Sequence, residues 1–171
     1  GHVVIGGGEG NDALDDYSTI VGGSSNRATA EYSFIGGGEQ NYATTRYSTI
    51  TGGLWNRIYG FGGEQGYSSY SAIVAGSNNI IGSVVTTSSA YSFIGGGWNN
   101  KIGGEVEGES WEYTQGTFIG GGYYNEIKGN SSNAVIGGGN ANHIKGNSNL
   151  SVIGGGGTGS QFGLGNIITN G

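Results

Sequence analysis

Short bursts of alternating apolar and polar residues recur along the chain. In the stretch from Tyr32 to Ala43, Phe34 and Gly36 fall to one side while Ser33, Ile35 and Gly37 fall to the other. That is the period of two that marks a strand. After the glycines, Asn41 and Ala43 share one side and Tyr42 takes the other. The same unit repeats on Ile5, Ile20, Ile35, Ile50, Ile73, Ile94, Ile119, Ile136 and Ile153, each followed three residues later by glycine. Six residues after the first eight stands an asparagine: Asn11, Asn26, Asn41, Asn56, Asn79, Asn100, Asn125 and Asn142. Two further on comes Ala13, Ala28, Ala43, Ile58, Ile81, Ile102, Ile127 or Ile144. A helix does not tolerate glycine runs at this density.

Two short strands and two tight turns in a 15-residue period predict one coil of an all-β parallel solenoid. Stacked at the strand spacing of about 4.8 Å, eight coils and a partial ninth make a rod on the order of 40 Å long. Isoleucine, asparagine and the small or branched residue after it are placed inward. Variable residues such as Arg27, Tyr42, Arg57, Lys101, Glu126 and His143 are placed outward. Stacking sets the asparagines above one another as a hydrogen-bonded amide ladder. The glycines are expected to supply positive φ at the corner and close approach of the two strand layers.

From Ile50 onward the isoleucine spacings lengthen to 23, 21, 25, 17 and 17 residues. The chain reads as a single repeat domain over 1–171, with irregular coils or insertions at 59–72, 83–90 and 103–115. Residues 60–66 look like a degenerate copy of the motif, which would split the longest regular gap into two short turns. The later excess falls after the second strand of the coil, as loops along one edge. The ninth unit has Gly159 in place of asparagine, and 158–171 reads as a cap or the start of another module. The first residues already sit in the repeat, as expected of a segment from a longer fibre.

The unit Tyr-Ser-Phe-Ile-Gly-Gly-Gly-x-x-Asn-x-Ala resembles the head repeats of YadA-like trimeric autotransporter adhesins, a left-handed parallel β-roll. It is also similar to the Ile-Gly-Gly-Gly-x-x-Asn-x-Ala arrays of phage tail-fibre-like proteins. The likeness spans Val3 to Gly157. It implies a homotrimeric, extracellular fibre on a bacterial surface or virion, attached to a glycan or protein receptor. The longer glycine run and the insertions depart from the adhesin type. Trimerisation has separate support in the residues. Each coil buries little apolar surface, and Phe34, Phe93, Phe118, Val135 and Val152, with Val21 and Val74 one register on, offer a stripe for a second copy.

Composition narrows the field. The chain has 171 residues, 41 glycines, no proline or cysteine and a net charge of −6. Collagen is excluded by the period and by the lack of proline. Six scattered Lys and Arg argue against binding along a nucleic-acid backbone. No apolar stretch reaches membrane-spanning length, so no direct membrane insertion is expected.

The corner after the glycines carries Trp55, Trp98, Tyr123 and Tyr124, read as one exposed column against which sugar rings lie, amid Glu39, Gln40, Ser77, Asn99 and Asn140. Packing over the glycine backbone or against another subunit is the plainer alternative. Trp111, Glu112 and Tyr113 form a second candidate cluster in the longest insertion, beside Glu105, Glu107 and Glu109. Carboxylates make Ca²⁺ a candidate there, yet no calcium-loop spacing is present, and a solvated acidic loop accounts for the run. Asp12, Asp15 and Asp16 read the same way. No cofactor is expected.

The chain is read as non-enzymatic. Acid pairs such as Glu105 and Glu112 are all that points toward glycoside cleavage. His2 and His143 are too few for a metal or nucleophile site, and the glycine runs lack the lysine and helix of a phosphate loop. Thr19, Thr49 and Thr51 give only a fragment of the ladder that an ice- or polymer-binding face needs. A purely structural spacer is the alternative to attachment.

Overall fold

The computed structural model describes residues 1–60, 68–83, 87–104, 112–157 and 165–169. Every regular element among them is a short strand, and the strands form two nine-stranded parallel sheets. The first sheet holds the isoleucine strands, from Val4–Ile5 through Phe34–Ile35 to Val152–Ile153; the second runs from Asp12–Ala13 through Tyr42–Ala43 to Ile167–Thr169. Ile20 pairs with Ile35 and Ile35 with Ile50, and in the second sheet Ala28 pairs with Ala43 and Ala43 with Ile58. The chain is a parallel β-solenoid with one motif unit per coil.

Between the sheets lies a thin apolar core. Ile20, Ile35, Ile50, Ile73, Ile94, Ile119 and Ile136 meet Ala28, Ala43, Ile58, Ile81, Ile102, Ile127 and Ile144, all fully buried. Ser33, Ser48, Ser71, Ser92 and Thr117 form a buried hydroxyl column beside them; Ser33 donates to Ala30 O at 2.6 Å and Ser71 to Ser89 O at 3.0 Å.

The asparagines form the expected ladder, with more bonds than amide stacking alone supplies. Asn100 Nδ2 donates to Asn79 Oδ1 (3.1 Å), Gly96 O (2.9 Å) and Gly122 O (2.9 Å), and its backbone N–H donates to the same Asn79 oxygen at 3.0 Å. Asn100 Oδ1 in turn accepts from Asn125 N and Nδ2. Each rung thus ties the corner of its own coil to both neighbours. The ladder continues past Asn142: Asn166 donates to Asn142 Oδ1 through N (2.9 Å) and Nδ2 (3.1 Å). The ninth unit therefore keeps its asparagine, displaced by an insertion from the position of Gly159. Residues Ile167–Thr169, inside the segment read as a cap, are the last strand of the second sheet.

The glycine three residues after each isoleucine is fixed by both φ and space, while the first glycine of a run is crowded by space alone: an added Cβ at Gly36 would lie 2.4 Å from Thr51 O of the next coil. At Gly53 φ is +98°, and an added Cβ would lie 2.1 Å from Gly76 O of the next coil. A left-handed backbone favours glycine there, and the neighbouring coil forbids a side chain. The close approach is between successive coils, not between the two strand layers. At Gly52, just before it, nothing lies nearer than 3.9 Å.

The long gaps add no rung. Thr49 and Ile50 pair directly with Ala72 and Ile73, and Arg57 and Ile58 with Ile80 and Ile81. Both sheets pass the 59–72 gap without an intervening strand among the described residues, and the degenerate copy of the motif read at 60–66 lies, apart from Gly60, outside them. Residues 61–67 lie outside the described ones. The later insertions also differ from plain loops: Thr87–Ser88 pairs in parallel with Glu112–Tyr113, a side ladder between consecutive insertions. Ser89 Oγ and Thr114 Oγ1, 2.9 Å apart, are buried just inside it.

Candidate functional site

The glycine corner is a third, narrow ladder. The residue four after each isoleucine bridges its counterpart in the next coil: Glu9, Ser24, Glu39, Leu54, Ser77, Trp98, Tyr123 and Asn140. The residue after it has positive φ, as in Gln40 (53°), Trp55 (57°), Asn99 (55°) and Tyr124 (54°), and so turns its side chain into a second, adjacent column. The four corner aromatics accordingly do not share one column. Trp98 and Tyr123 lie in the first and stack at 4.6 Å with planes 18° apart. Tyr124, in the second, sets its ring edge-on to both, at 4.7 Å from Trp98 and 4.6 Å from Tyr123. Edge and stacked contacts of this kind are favourable for ring quadrupoles, and the three rings form one half-buried aromatic cluster.

Trp55 stands apart. It lies in the second column three coils before Tyr124, is 44 % exposed, and donates its indole N–H to Gln40 Oε1. Asn78 and Asn99 separate it from Tyr124 and bond to each other through Asn78 Nδ2 and Asn99 Oδ1 at 3.1 Å. Amides therefore border the aromatic cluster on its Trp55 side. Ser77, one rung before Trp98 in its column, is too small to cover the far face of the indole.

The second candidate cluster is not brought to this corner. Tyr113 is exposed, its backbone N–H donating to Asn130 Oδ1 at 2.9 Å, and it belongs to the side ladder on the opposite edge of the coil. Glu112 shares that strand. Trp111, with Glu105, Glu107 and Glu109, lies outside the described residues. Among the described residues no three His, Asp or Glu side chains gather. Asp12 pairs with Arg27 at 3.3 Å and Asp16 with the terminal amine at 2.9 Å, so that acidic run is dispersed. The threonines do not align either: Phe34 stands between Thr19 and Thr49 in the first sheet.

Tyr17, Tyr32, Tyr47, Tyr70 and Tyr91 each stand three residues before an inward isoleucine, all with φ of 55–60°. Their rings stack face to face, with centroids 4.7–5.2 Å apart and planes within 6°. A bulky side chain in the left-handed region is strained, and the stacking offsets that strain. Each inner ring is covered on both faces and shows the surroundings only its edge and hydroxyl.

Comparison with protein-family models and with curated proteins gives no match. What the fold and corner define is a class: a β-solenoid rod whose constant residues are scaffold and whose exposed columns vary.

Proposed function

We propose that the chain is a non-enzymatic fibre or adhesin module, extracellular on a bacterial surface or virion, that extends a rod and attaches to a cell-surface glycan. The observation that carries this reading is the Trp98, Tyr123 and Tyr124 cluster. Its half-exposed indole face suits the apolar face of a sugar ring, and the bordering amides of Asn78 and Asn99 suit hydroxyls. In the tyrosine column the inner ring faces are occupied by neighbouring rings.

The outer face of the first sheet supports a homotrimer. Its two columns, from Val4 to Val152 and from Gly6 to Gly154, hold no charged residue. Val21, Val74, Phe118 and Val152 are exposed on it, and Phe93 stacks on Phe118 at 5.4 Å. A flat uncharged face of this length suits a second copy of itself. A purely structural spacer is the second reading, favoured by the self-stacked tyrosines.

A glycan array with the wild type, Trp98→Ala and Tyr124→Ala separates the two. Binding that both substitutions weaken tenfold or more, with circular dichroism unchanged, supports the corner. Binding indifferent to both, or none at all, leaves the spacer.

A further inference from the structure

On this acidic chain the basic residues are not scattered once it is folded. Arg27, Arg57 and Lys101 lie in one outward column of the second sheet, and Lys128 and Lys145 in the column beside it. Five of the six Lys and Arg in the sequence thus share one face. The described carboxylates in those columns are Asp12 and Glu126, which leaves a surplus of three positive charges on a chain of net −6. Asp12 meets Arg27 at the start of the column, and Glu126 meets Lys128 at 3.2 Å near its end. Arg57, Lys101 and Lys145 have no ion pair among the described residues.

The order within the first column is regular. Successive rungs read Arg27, Tyr42, Arg57, Ile80, Lys101. Cations therefore recur at every second coil, about 10 Å apart at the sheet spacing, with an aromatic or aliphatic side chain between. The Arg57 guanidinium lies 5.7 Å from the Tyr42 ring centroid, and its Nε is buried without a hydrogen-bond partner. Beside this column Tyr59, Ile80, Gly82, Lys101, Glu126 and Lys128 line an open cleft of about 460 Å³. Tyr59 also borders a second depression with Arg27 and Tyr42, beside the earlier rungs of the same column.

We propose that this face binds a linear acidic polysaccharide with one anionic group on every second sugar, laid parallel to the rod axis. Its anions meet Arg27, Arg57 and Lys101, and the intervening sugars lie on Tyr42 and Ile80. The Asp12 pair of Arg27 is about half exposed, and pairs of that kind are weak enough to exchange for a ligand. A nucleic acid fits less well, because its phosphates recur every 3.4 Å along a strand and the column has cations only at every second rung. The site is on a different face from the aromatic corner and does not depend on it.

The test is surface plasmon resonance on immobilised hyaluronan and unsulfated chondroitin, each with one uronate per disaccharide. Dextran, polygalacturonate and oligo(dT) are the comparison surfaces. The expected result is salt-sensitive binding to the two alternating polymers. An Arg57→Gln/Lys101→Gln variant should lose at least tenfold, and Trp98→Ala should bind as wild type. If that double variant does not fold by circular dichroism, Arg27→Gln/Lys101→Gln carries the same expectation. Absence of binding to both alternating polymers overturns the proposal, as does equal binding to dextran or affinity retained by the folded variant. Equal or tighter binding to polygalacturonate overturns the spacing, and equal or tighter binding to oligo(dT) replaces the polysaccharide with a nucleic acid.

Discussion

Asn100→Ala tests whether the asparagine ladder holds the coils together or only lines their interior. The side chain donates to Asn79 Oδ1, Gly96 O and Gly122 O and accepts from Asn125 N and Nδ2, all within 2.9–3.1 Å. Gly122 O keeps the bond from Trp98 N, and Asn79 Oδ1 keeps the bond from Asn100 N. The substitution strands chiefly the buried Asn125 N–H and the Gly96 carbonyl. At roughly 1–3 kcal/mol for each buried group left unpaired, the expected loss is about 3–5 kcal/mol. Asn11 makes the same kind of bonds in the partly exposed first coil, where water replaces them, so Asn11→Ala should cost about 1 kcal/mol. Asn100→Asp points a carboxylate oxygen at carbonyls, and its deficit should exceed that of alanine at neutral pH and shrink in acid. Urea unfolding followed by far-ultraviolet circular dichroism measures all three. A loss below about 1 kcal/mol for Asn100→Ala, or equal losses at positions 11 and 100, would refute this reasoning.

The neighbouring glycines Gly52 and Gly53 should respond oppositely to alanine. Gly53→Ala combines φ of +98° with a contact 2.1 Å from Gly76 O and should lose more than about 3 kcal/mol in the same urea assay. Gly52→Ala meets only Gly37 O, at an ordinary contact distance of 3.9 Å, and should be neutral or stabilising by about 0.4–1 kcal/mol. Ile102→Ala removes a fully buried side chain and should cost about 2–5 kcal/mol, read from the same unfolding curves. Burial alone would raise the Glu126 carboxyl, but hydrogen bonds from His143 and Lys128 and their charges override it, so its pKa falls from 4.5 to about 2. Its contribution, about 3 kcal/mol, is present above pH 4.5 and lost as pH falls toward 2; an acid titration of stability in which Glu126→Gln retains the same limb would contradict this. If the uncharged face joins copies as proposed, Phe118→Lys should lower the mass seen in light scattering from that of a trimer, and a wild type that is already monomeric would exclude the trimer.

The inner wall was legible because its side chains leave no alternative. Isoleucine, the third glycine, asparagine and the residue two beyond recur at fixed offsets, and each offset corresponds to one turn or one side of a strand. Asn166 was hidden because the chain inserts residues inside the ninth coil, and only the backbone path shows that the rung is refilled. The corner aromatics read as one exposed column, yet only Trp55 is exposed, Trp98, Tyr123 and Tyr124 burying half of one another, and their division into two columns depends on the left-handed backbone at Trp55 and Tyr124, which residue type does not announce. The reverse holds for Tyr17 to Tyr91: their constant position before isoleucine was visible, and its consequence, rings closed against one another, needed the coil spacing. Arg57 and Lys101 read as scattered charges until two sheets of equal register placed them on one line.

One distance tests the architecture on which all of this rests. Thr29 and Lys145 occupy the same outward column of the second sheet, in the second and eighth coils, and the chain has no cysteine to compete for labels. Spin labels at Thr29→Cys and Lys145→Cys, diluted with unlabelled chain, report their separation by double electron–electron resonance. Six steps at the sheet spacing place them about 29 Å apart in a narrow distribution. A separation near 34 Å, as an additional coil in the long gaps would produce, or a broad distribution would contradict one rung per unit.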